Sequence, residues 1–107
     1  MKYKGMTALI TGASVGLGEA FARQLAQQGA NLVLVARSED KLNRLAETVR
    51  GQNRVQVTVL PADLSSAEAV ESLIAEVKSR NLRIDILVNN AGLGVFENFS
   101  IHRSRSR

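Results

Sequence analysis

With 107 residues and a formal net charge of +4, the chain is long enough for one domain with a modest core. It has no cysteine, which excludes disulfide frameworks, cysteine-ligated zinc and thiol catalysis, and no apolar stretch approaches the about 20 residues of a membrane-spanning helix. Arg103, Arg105 and Arg107 carry three of the four net charges, which leaves only +1 for residues 1–102 and disfavours a general nucleic-acid surface. We therefore expect a soluble, cytoplasmic protein.

The first third of the chain has the pattern of a strand, a helix and a second strand. Thr7–Ile10 is typical of a short buried strand. Leu17, Phe21 and Leu25 then recur at helical spacing, which predicts the core-facing side of a first helix. Leu32–Val35 is a continuous apolar run of the kind found in strands buried on both faces.

The same alternation continues through the next fifty residues. Ser38 is a suitable N-cap for a second helix. The alternation of valine with polar residues over Val55–Val59 favours a third strand at the edge of a sheet. Ser65 and Glu68 have the spacing of a capping box, which predicts a third helix, and Ile84–Val88 predicts a fourth strand.

This alternation predicts an α/β fold, a Rossmann-like parallel sheet with flanking helices. Four strands separated by three helices and joined by right-handed crossovers give the strand order 3-2-1-4, an incomplete version of a doubly wound sheet. In that order the fourth strand is an outer strand, although its sequence is typical of a buried one. An exposed apolar edge pairs readily with another chain, so self-association through this edge is an alternative, non-enzymatic function.

A glycine-rich turn connects the first strand to the first helix. Residues 11–18 read Thr-Gly-Ala-Ser-Val-Gly-Leu-Gly. In a dinucleotide site, Gly12 would allow the tight bend, Gly16 the close approach of backbone to phosphate, and Gly18 the packing of helix on strand. Ser14 could donate its hydroxyl to a phosphate or ribose. The pattern predicts a pyrophosphate site, against the alternative of a strand-to-helix turn that binds nothing.

The end of the second strand bears on the choice of cofactor. A carboxylate about 20 residues beyond the glycines would bind the ribose hydroxyls of NAD, but Ala36 and Arg37 stand there instead. A guanidinium binds phosphate with two parallel hydrogen bonds, so NADP is favoured over NAD. Glu39 and Asp40 could partly offset this preference, and an arginine at a strand end could also be merely solvated.

These motifs resemble those of the short-chain dehydrogenase/reductase family. The family signatures Thr-Gly-x-x-x-Gly-x-Gly and Asn-Asn-Ala-Gly occur at residues 11–18 and 89–92, and Asp-Leu at residues 63–64 follows the third strand. The resemblance covers residues 6 to about 97. It implies an oxidoreductase that transfers a hydride between NAD(P)(H) and a carbonyl or alcohol.

The resemblance also implies roles for individual residues. Asp63 would accept a hydrogen bond from the adenine amino group, with Leu64 nearby. The alternative is that Asp63 is only an aspartate of a loop or a helix cap. Asn89 is better explained as a brace of the sheet, whereas the three residues after it would lie along the adenosine ribose. The cofactor-binding residues predicted in all are Gly12, Ser14, Val15, Gly16, Leu17, Gly18, Arg37, Asp63, Leu64, Asn90, Ala91 and Gly92. No catalytic or metal-binding residue is predicted.

The catalytic Tyr-x-x-x-Lys pair of the family is not found in the sequence. Tyr3 is the single tyrosine, and Thr7 rather than lysine follows four residues later. We therefore expect a cofactor-binding domain at residues 1–98, truncated and without activity of its own, followed by a basic, disordered tail at residues 99–107. The alternating arginine and serine of this tail leave a small nucleic-acid-binding segment as a second interpretation. We assign no role to His102.

Overall fold

A computed structural model describes residues 1–90 and the backbone of residues 101–103. The strands are β1 (Thr7–Thr11), β2 (Asn31–Ala36), β3 (Val57–Pro61), β4 (Ile86–Asn89) and β5 (Ile101–Arg103). The helices are α1 (Gly16–Gln27), α2 (Glu39–Gln52) and α3 (Ala67–Ser79). In this described part of the chain, no helix is long and apolar enough to cross a membrane.

The five strands form one sheet in the order β3-β2-β1-β4-β5. The first four strands are parallel, and Leu9 in the middle of β1 is paired with Val33 of β2 on one side and Leu87 of β4 on the other. The predicted order 3-2-1-4 is confirmed, and β3 is an edge strand as its alternating sequence predicts. Parallel pairing with a helix in each connection makes this a Rossmann-like α/β fold.

The outer side of β4 differs from the sequence prediction. β5 pairs with β4 in antiparallel register, so that Ile101 stands opposite Val88 and Arg103 opposite Ile86. β4 is therefore not an edge, because the backbone groups on its outer side are hydrogen-bonded to β5. The exposed β4 edge on which the prediction of self-association rested is absent. Three residues of the segment predicted to be a disordered tail form this strand, while its remaining residues and the predicted boundary at residue 98 lie outside the described residues.

Each face of the sheet packs against helices. On one face, alternate residues of β1 and β2 meet α1 and α2; the main buried residues are Ala8, Ile10, Leu32, Leu34, Ala22, Ala26, Leu42, Leu45, Ala46 and Val49. On the other face, Leu9, Val33 and Val35 meet Leu60 and, from α3, Leu73. β2 is thus buried on both faces, as its continuous apolar run predicts.

The core-facing side of α1 differs from the prediction. Leu17, predicted to face the core, is 68% exposed, and Phe21 and Leu25 are only partly buried. The buried residues of α1 are Gly18, Ala22 and Ala26. Small residues let this helix approach the sheet closely. Phe21 and Leu25 pack against the same core from beside them, so the prediction is wrong for Leu17 alone.

β3 begins two residues later than predicted. Its pairing with β2 runs from Leu32 opposite Val57 to Ala36 opposite Pro61. Gln56, just before the ladder, donates its backbone N–H to the side-chain oxygen of Asn31 at 2.9 Å. Proline is tolerated at the end of the strand because β3 is an edge.

Serine side chains cap two of the helices. Ser38 accepts from the backbone N–H of Lys41 at 3.4 Å, which confirms it as the N-cap of α2. The cap of α3 is Ser66, which accepts from the N–H of Ala69 at 3.1 Å. The predicted capping box at Ser65 is wrong by one residue, because two adjacent serines offer the same cap chemistry and the sequence does not distinguish them.

Candidate functional site at the carboxyl ends of the strands

A cavity of about 600 Å³ opens at the carboxyl ends of β1, β2 and β3. Its lining residues are Gly12, Ser14, Val15, Val35, Ala36, Arg37, Ser38, Lys41, Ala62, Asp63, Leu64 and Ser65. Ligands of open parallel sheets bind at this edge, and the volume lies within the range of small-molecule pockets, about 300–1,000 Å³. Three segments far apart in sequence meet here because the parallel strands all end at the same edge.

The turn after β1 depends on its glycines. Gly12 and Gly16 have φ angles of +63° and +58°, a region that residues with a side chain rarely adopt. Gly18 is buried, and a Cβ there would lie 2.0 Å from the carbonyl oxygen of Gly12. The first two glycines therefore shape the turn, and the third lets α1 begin directly against it.

The N-terminus of α1 has no side-chain cap, unlike those of α2 and α3. Val15 stands at the N-cap position, where its apolar side chain makes no hydrogen bond. The first hydrogen bond of this end runs from the N–H of Glu19 to the carbonyl oxygen of Val15 at 3.4 Å. The preceding N–H groups of a helix have no partner within it, and an anion can accept from them. A Cβ on Gly16 would meet nothing within 4 Å, so the backbone here is open to close approach.

Two asparagines at the end of β4 connect this strand to the glycine turn. Thr11 donates its hydroxyl to the side-chain oxygen of Asn89 at 2.8 Å, and both residues are buried. Asn90 donates from its side-chain amide to the carbonyl oxygen of Gly12 at 3.2 Å. The bracing interpretation of Asn89 agrees with this geometry, and Asn90 supports the turn in the same way.

Arg37 lies at the cavity immediately after β2. Its side chain is exposed, and it forms no ion pair with any residue of 1–90, including the neighbouring Glu39 and Asp40. The two carboxylates stand in the first turn of α2, where the helix dipole favours negative charge. Within the described residues, the guanidinium is therefore not neutralised by the acidic residues beside it.

Asp63 lines the cavity from the segment after β3. Its Oδ1 accepts from the backbone N–H of Ser65 at 3.2 Å, a local bond that shapes the loop before α3. Leu64 beside it is half-buried and packs against the cluster of Leu60 and Leu73. Asp63 thus has the structural role in the loop that was its alternative interpretation, and the residue also lines the cavity.

The structure brings together half of the predicted cofactor-binding residues. Those that line the cavity are Gly12, Ser14, Val15, Arg37, Asp63 and Leu64. Those placed beside it, in the turn, the start of α1 or the end of β4, are Gly16, Leu17, Gly18 and Asn90. Ala91 and Gly92 lie outside the described residues.

Lys41 and Ser38 also line the cavity and were missed by the sequence interpretation. The available signal was the placement of α2. Because α2 begins at Glu39, three residues after the end of β2, its N-cap and first turn lie near the carboxyl ends of the strands, where the cavity is.

A family model described as short chain dehydrogenase matches residues 6–105 of the chain. The chain belongs to this family. The match extends past residue 97, where the resemblance in the sequence motifs was placed to end. The oxidoreductase UcpA of Salmonella typhimurium is 45% identical over 98 residues, which make up 92% of this chain and 36% of that protein. The chain thus spans about a third of the length of the curated relatives it matches.

Two solved structures have the same fold over most of this chain. An L-sorbose reductase from Gluconobacter frateurii, complexed with NADPH and L-sorbose, matches with a TM-score of 0.79 and 40% identity over 88% of this chain and 36% of that one. An alcohol dehydrogenase from Thermococcus sibiricus, complexed with 5-hydroxy-NADP, matches with a TM-score of 0.76 and 43% identity over 89% of this chain and 42% of that one. Both of these neighbours were crystallised with a nicotinamide dinucleotide.

Proposed function

We propose that this chain forms the NADP(H)-binding portion of an oxidoreductase that transfers a hydride between NADP(H) and a carbonyl or alcohol. The observation that carries the proposal is one cavity that combines the glycine turn, the uncapped start of α1 and Arg37, which forms no ion pair within residues 1–90. A nucleotide with several phosphates needs such donors and cations within reach of one another.

The residues present fit a dinucleotide. The open backbone at Gly16 and the N–H groups of the first turn of α1, which have no partner within the helix, would hold the pyrophosphate. Ser14 lines the same cavity and would donate its hydroxyl. Asp63 and Leu64 would hold the adenine, and Asn90 would lie toward the adenosine ribose while it supports the turn. When bound, the nicotinamide ring supplies or accepts the hydride.

Arg37 favours NADP over NAD in this proposal. The residue before it at the end of β2 is Ala36, so no carboxylate occupies the position that would bind the ribose hydroxyls of NAD and repel a 2′-phosphate. The guanidinium of Arg37 can bind the phosphate with two parallel hydrogen bonds. The complexes of the two structural neighbours with NADPH and 5-hydroxy-NADP support this choice.

We further propose that these 107 residues bind the cofactor without catalysing hydride transfer. The sequence has no Tyr-x-x-x-Lys pair. Its one tyrosine, Tyr3, donates its backbone N–H to the carbonyl oxygen of Gln28, just past the C-terminal end of α1. Because α1 begins at the cavity and ends at the opposite edge of the sheet, Tyr3 lies far from the cofactor site. Placed acid-base groups contribute about 10²- to 10⁴-fold to such reactions, so turnover without them would be very slow.

The test is a thermal melt of the full chain with millimolar NADP⁺ or NAD⁺. A ligand that binds only the folded state raises the melting temperature by mass action, so we expect a clear rise with NADP⁺ and a smaller one with NAD⁺. Arg37→Gln should remove most of the difference. Arg54 is an exposed arginine between α2 and β3, at the amino ends of the strands, and Arg54→Gln should leave the difference between the two nucleotides unchanged. No shift with either nucleotide would contradict the proposal.

A further inference from the structure

A second cation lines the cavity beside Arg37. Lys41 is the third residue of α2, and its backbone N–H is bonded to Ser38, the N-cap that directly follows Arg37. The chain thus passes from β2 through Arg37 and Ser38 into the helical turn that holds Lys41. All three residues line the same cavity.

The position of Lys41 is unfavourable for the helix itself. The N-terminal turn of a helix carries the positive end of its dipole, which favours acidic residues there and disfavours a lysine. Glu39 and Asp40 in the same turn fit this rule, and Lys41 does not. Helix stability therefore gives no reason for a cation at this place.

Lys41 has no acidic residue at the helical spacing that forms a local ion pair elsewhere in this protein. Arg23 pairs with Glu19, and Arg80 with Glu76, each with a carboxylate four residues earlier on the same helix. The residues three and four positions from Lys41 are Arg37, Ser38, Arg44 and Leu45, none of them acidic. Within residues 1–90, Lys41 forms no ion pair.

We propose that Lys41 is a specificity-determining residue that binds, together with Arg37, the 2′-phosphate of NADP(H). The inference rests on the proposed function and adds a second cation to its site. A phosphate monoester carries a charge of about −1.5 to −2 at neutral pH, which one guanidinium only partly neutralises. Arg37 supplies a planar pair of donors, whereas Lys41 supplies a compact charge on a flexible stem that adapts to the remaining phosphate oxygens.

The experiment is a calorimetric titration of the full chain with NADP⁺ and with NAD⁺, for the unchanged protein and for three variants. Lys41→Gln should weaken NADP⁺ binding about tenfold, the order expected for one lost charge-assisted hydrogen bond, and change NAD⁺ binding less than about twofold. Lys41→Arg should keep most of the NADP⁺ affinity. Arg44→Gln removes the same charge from the same helix at an exposed position that does not line the cavity, and should change neither affinity.

A melt of the nucleotide-free variants separates a binding role from a structural one. Glutamine at position 41 completes a Ser-x-x-Gln capping box with Ser38, so Lys41→Gln should melt at the same temperature as the unchanged protein or higher. A residue with only a structural role would show the reverse, with lower stability and no change in nucleotide preference.

The outcomes distinguish the two proposals. If the unchanged protein binds neither nucleotide, the proposed function fails and the role of Lys41 fails with it. If the unchanged protein prefers NADP⁺ and Lys41→Gln shows the same preference, the role of Lys41 is overturned while the proposed function stands. An equal loss of affinity for both nucleotides would also overturn it, because the 2′-phosphate is present in only one of them.

Discussion

Asn90, one residue past β4, donates from its side-chain amide to the backbone carbonyl oxygen of Gly12, at a distance of 3.2 Å. A Cβ on Gly18 would lie only 2.0 Å from the same oxygen, which is too close for two atoms that are not bonded. The end of β4, the bend after β1 and the first turn of α1 therefore meet at one carbonyl group. The shape of the glycine turn depends on a residue 78 positions away in the sequence.

Asn90→Ala removes the donor to the Gly12 carbonyl. We expect the free energy of unfolding to fall by about 1 kcal/mol, the usual net contribution of one hydrogen bond, and NADP⁺ binding to weaken because the turn loses its support. Urea titrations followed by circular dichroism measure the first effect and calorimetry the second. Asn43→Ala, at an exposed position of α2, is the control: it should leave NADP⁺ binding unchanged and raise the free energy of unfolding by up to about 0.7 kcal/mol, because alanine is the better helix former. Equal effects of the two substitutions would contradict the bracing role.

Gly18→Ala places a methyl group 2.0 Å from the Gly12 carbonyl oxygen, where backbone would have to move. We expect a loss of about 2 to 3 kcal/mol of unfolding free energy, the upper range for overpacking, or failure to fold. Gly51→Ala is the control, because nothing lies within 4 Å of its Cβ position near the end of α2. That substitution should stabilise the chain by up to about 1 kcal/mol. Thermal melts that show Gly18→Ala as stable as Gly51→Ala would show that the close packing is not needed.

The strand order could be predicted from the sequence because it depends on patterns that tertiary contacts do not override. The continuous apolar run of β2 predicts a central strand, and the alternating pattern of β3 predicts an edge strand. In the structure β2 is central and buried, and β3 is at the edge. The glycine turn could be located for the same reason, since φ angles of about +60° at Gly12 and Gly16 leave few other residue types.

Features that depend on long-range packing could not be predicted in this way. The apolar spacing of Leu17, Phe21 and Leu25 predicted the core-facing side of α1, yet Leu17 is exposed, and Gly18, Ala22 and Ala26 are the residues of this helix that are fully buried. The pairing of Ile101–Arg103 with β4 joins segments whose sequences give no signal for each other. At the site, Arg37 stood out as an isolated arginine at a strand end, whereas Lys41 in an ordinary polar helix became visible only through the cavity that it lines.

Arg37→Asp should reverse the preference between the two nucleotides. The carboxylate repels the 2′-phosphate and can accept from the ribose hydroxyls of NAD, so we expect NADP⁺ binding to fall at least about 100-fold and NAD⁺ binding to improve. Calorimetric titration with each nucleotide measures both changes. Arg54→Asp makes the same charge change at the other edge of the sheet and should shift both affinities only slightly. A preference for NADP⁺ that survives in Arg37→Asp would place the 2′-phosphate elsewhere.

The preference for NADP⁺ should also depend on pH. The second ionisation of a phosphate monoester has a pKa of about 6. The doubly charged phosphate binds two cations more strongly, so the preference should be fully present above pH 7 and decline as the pH falls through about 6. Titrations at pH 5.5 and 7.5 measure it, with NAD⁺ as the reference ligand. A preference that is constant with pH would indicate that the phosphate charge does not contribute.

The most direct test is to map the nucleotide on the chain by nuclear magnetic resonance. A ¹⁵N-labelled sample titrated with NADP⁺ should show its largest amide shifts in three segments, residues 12–18, 37–41 and 62–65, which meet at the cavity. Amides at the opposite edge of the sheet, such as those of Lys4, Asn31 and Gln56, should hardly move. Shifts confined to that opposite edge, or no shifts at millimolar NADP⁺, would contradict a nucleotide site at the carboxyl ends of the strands.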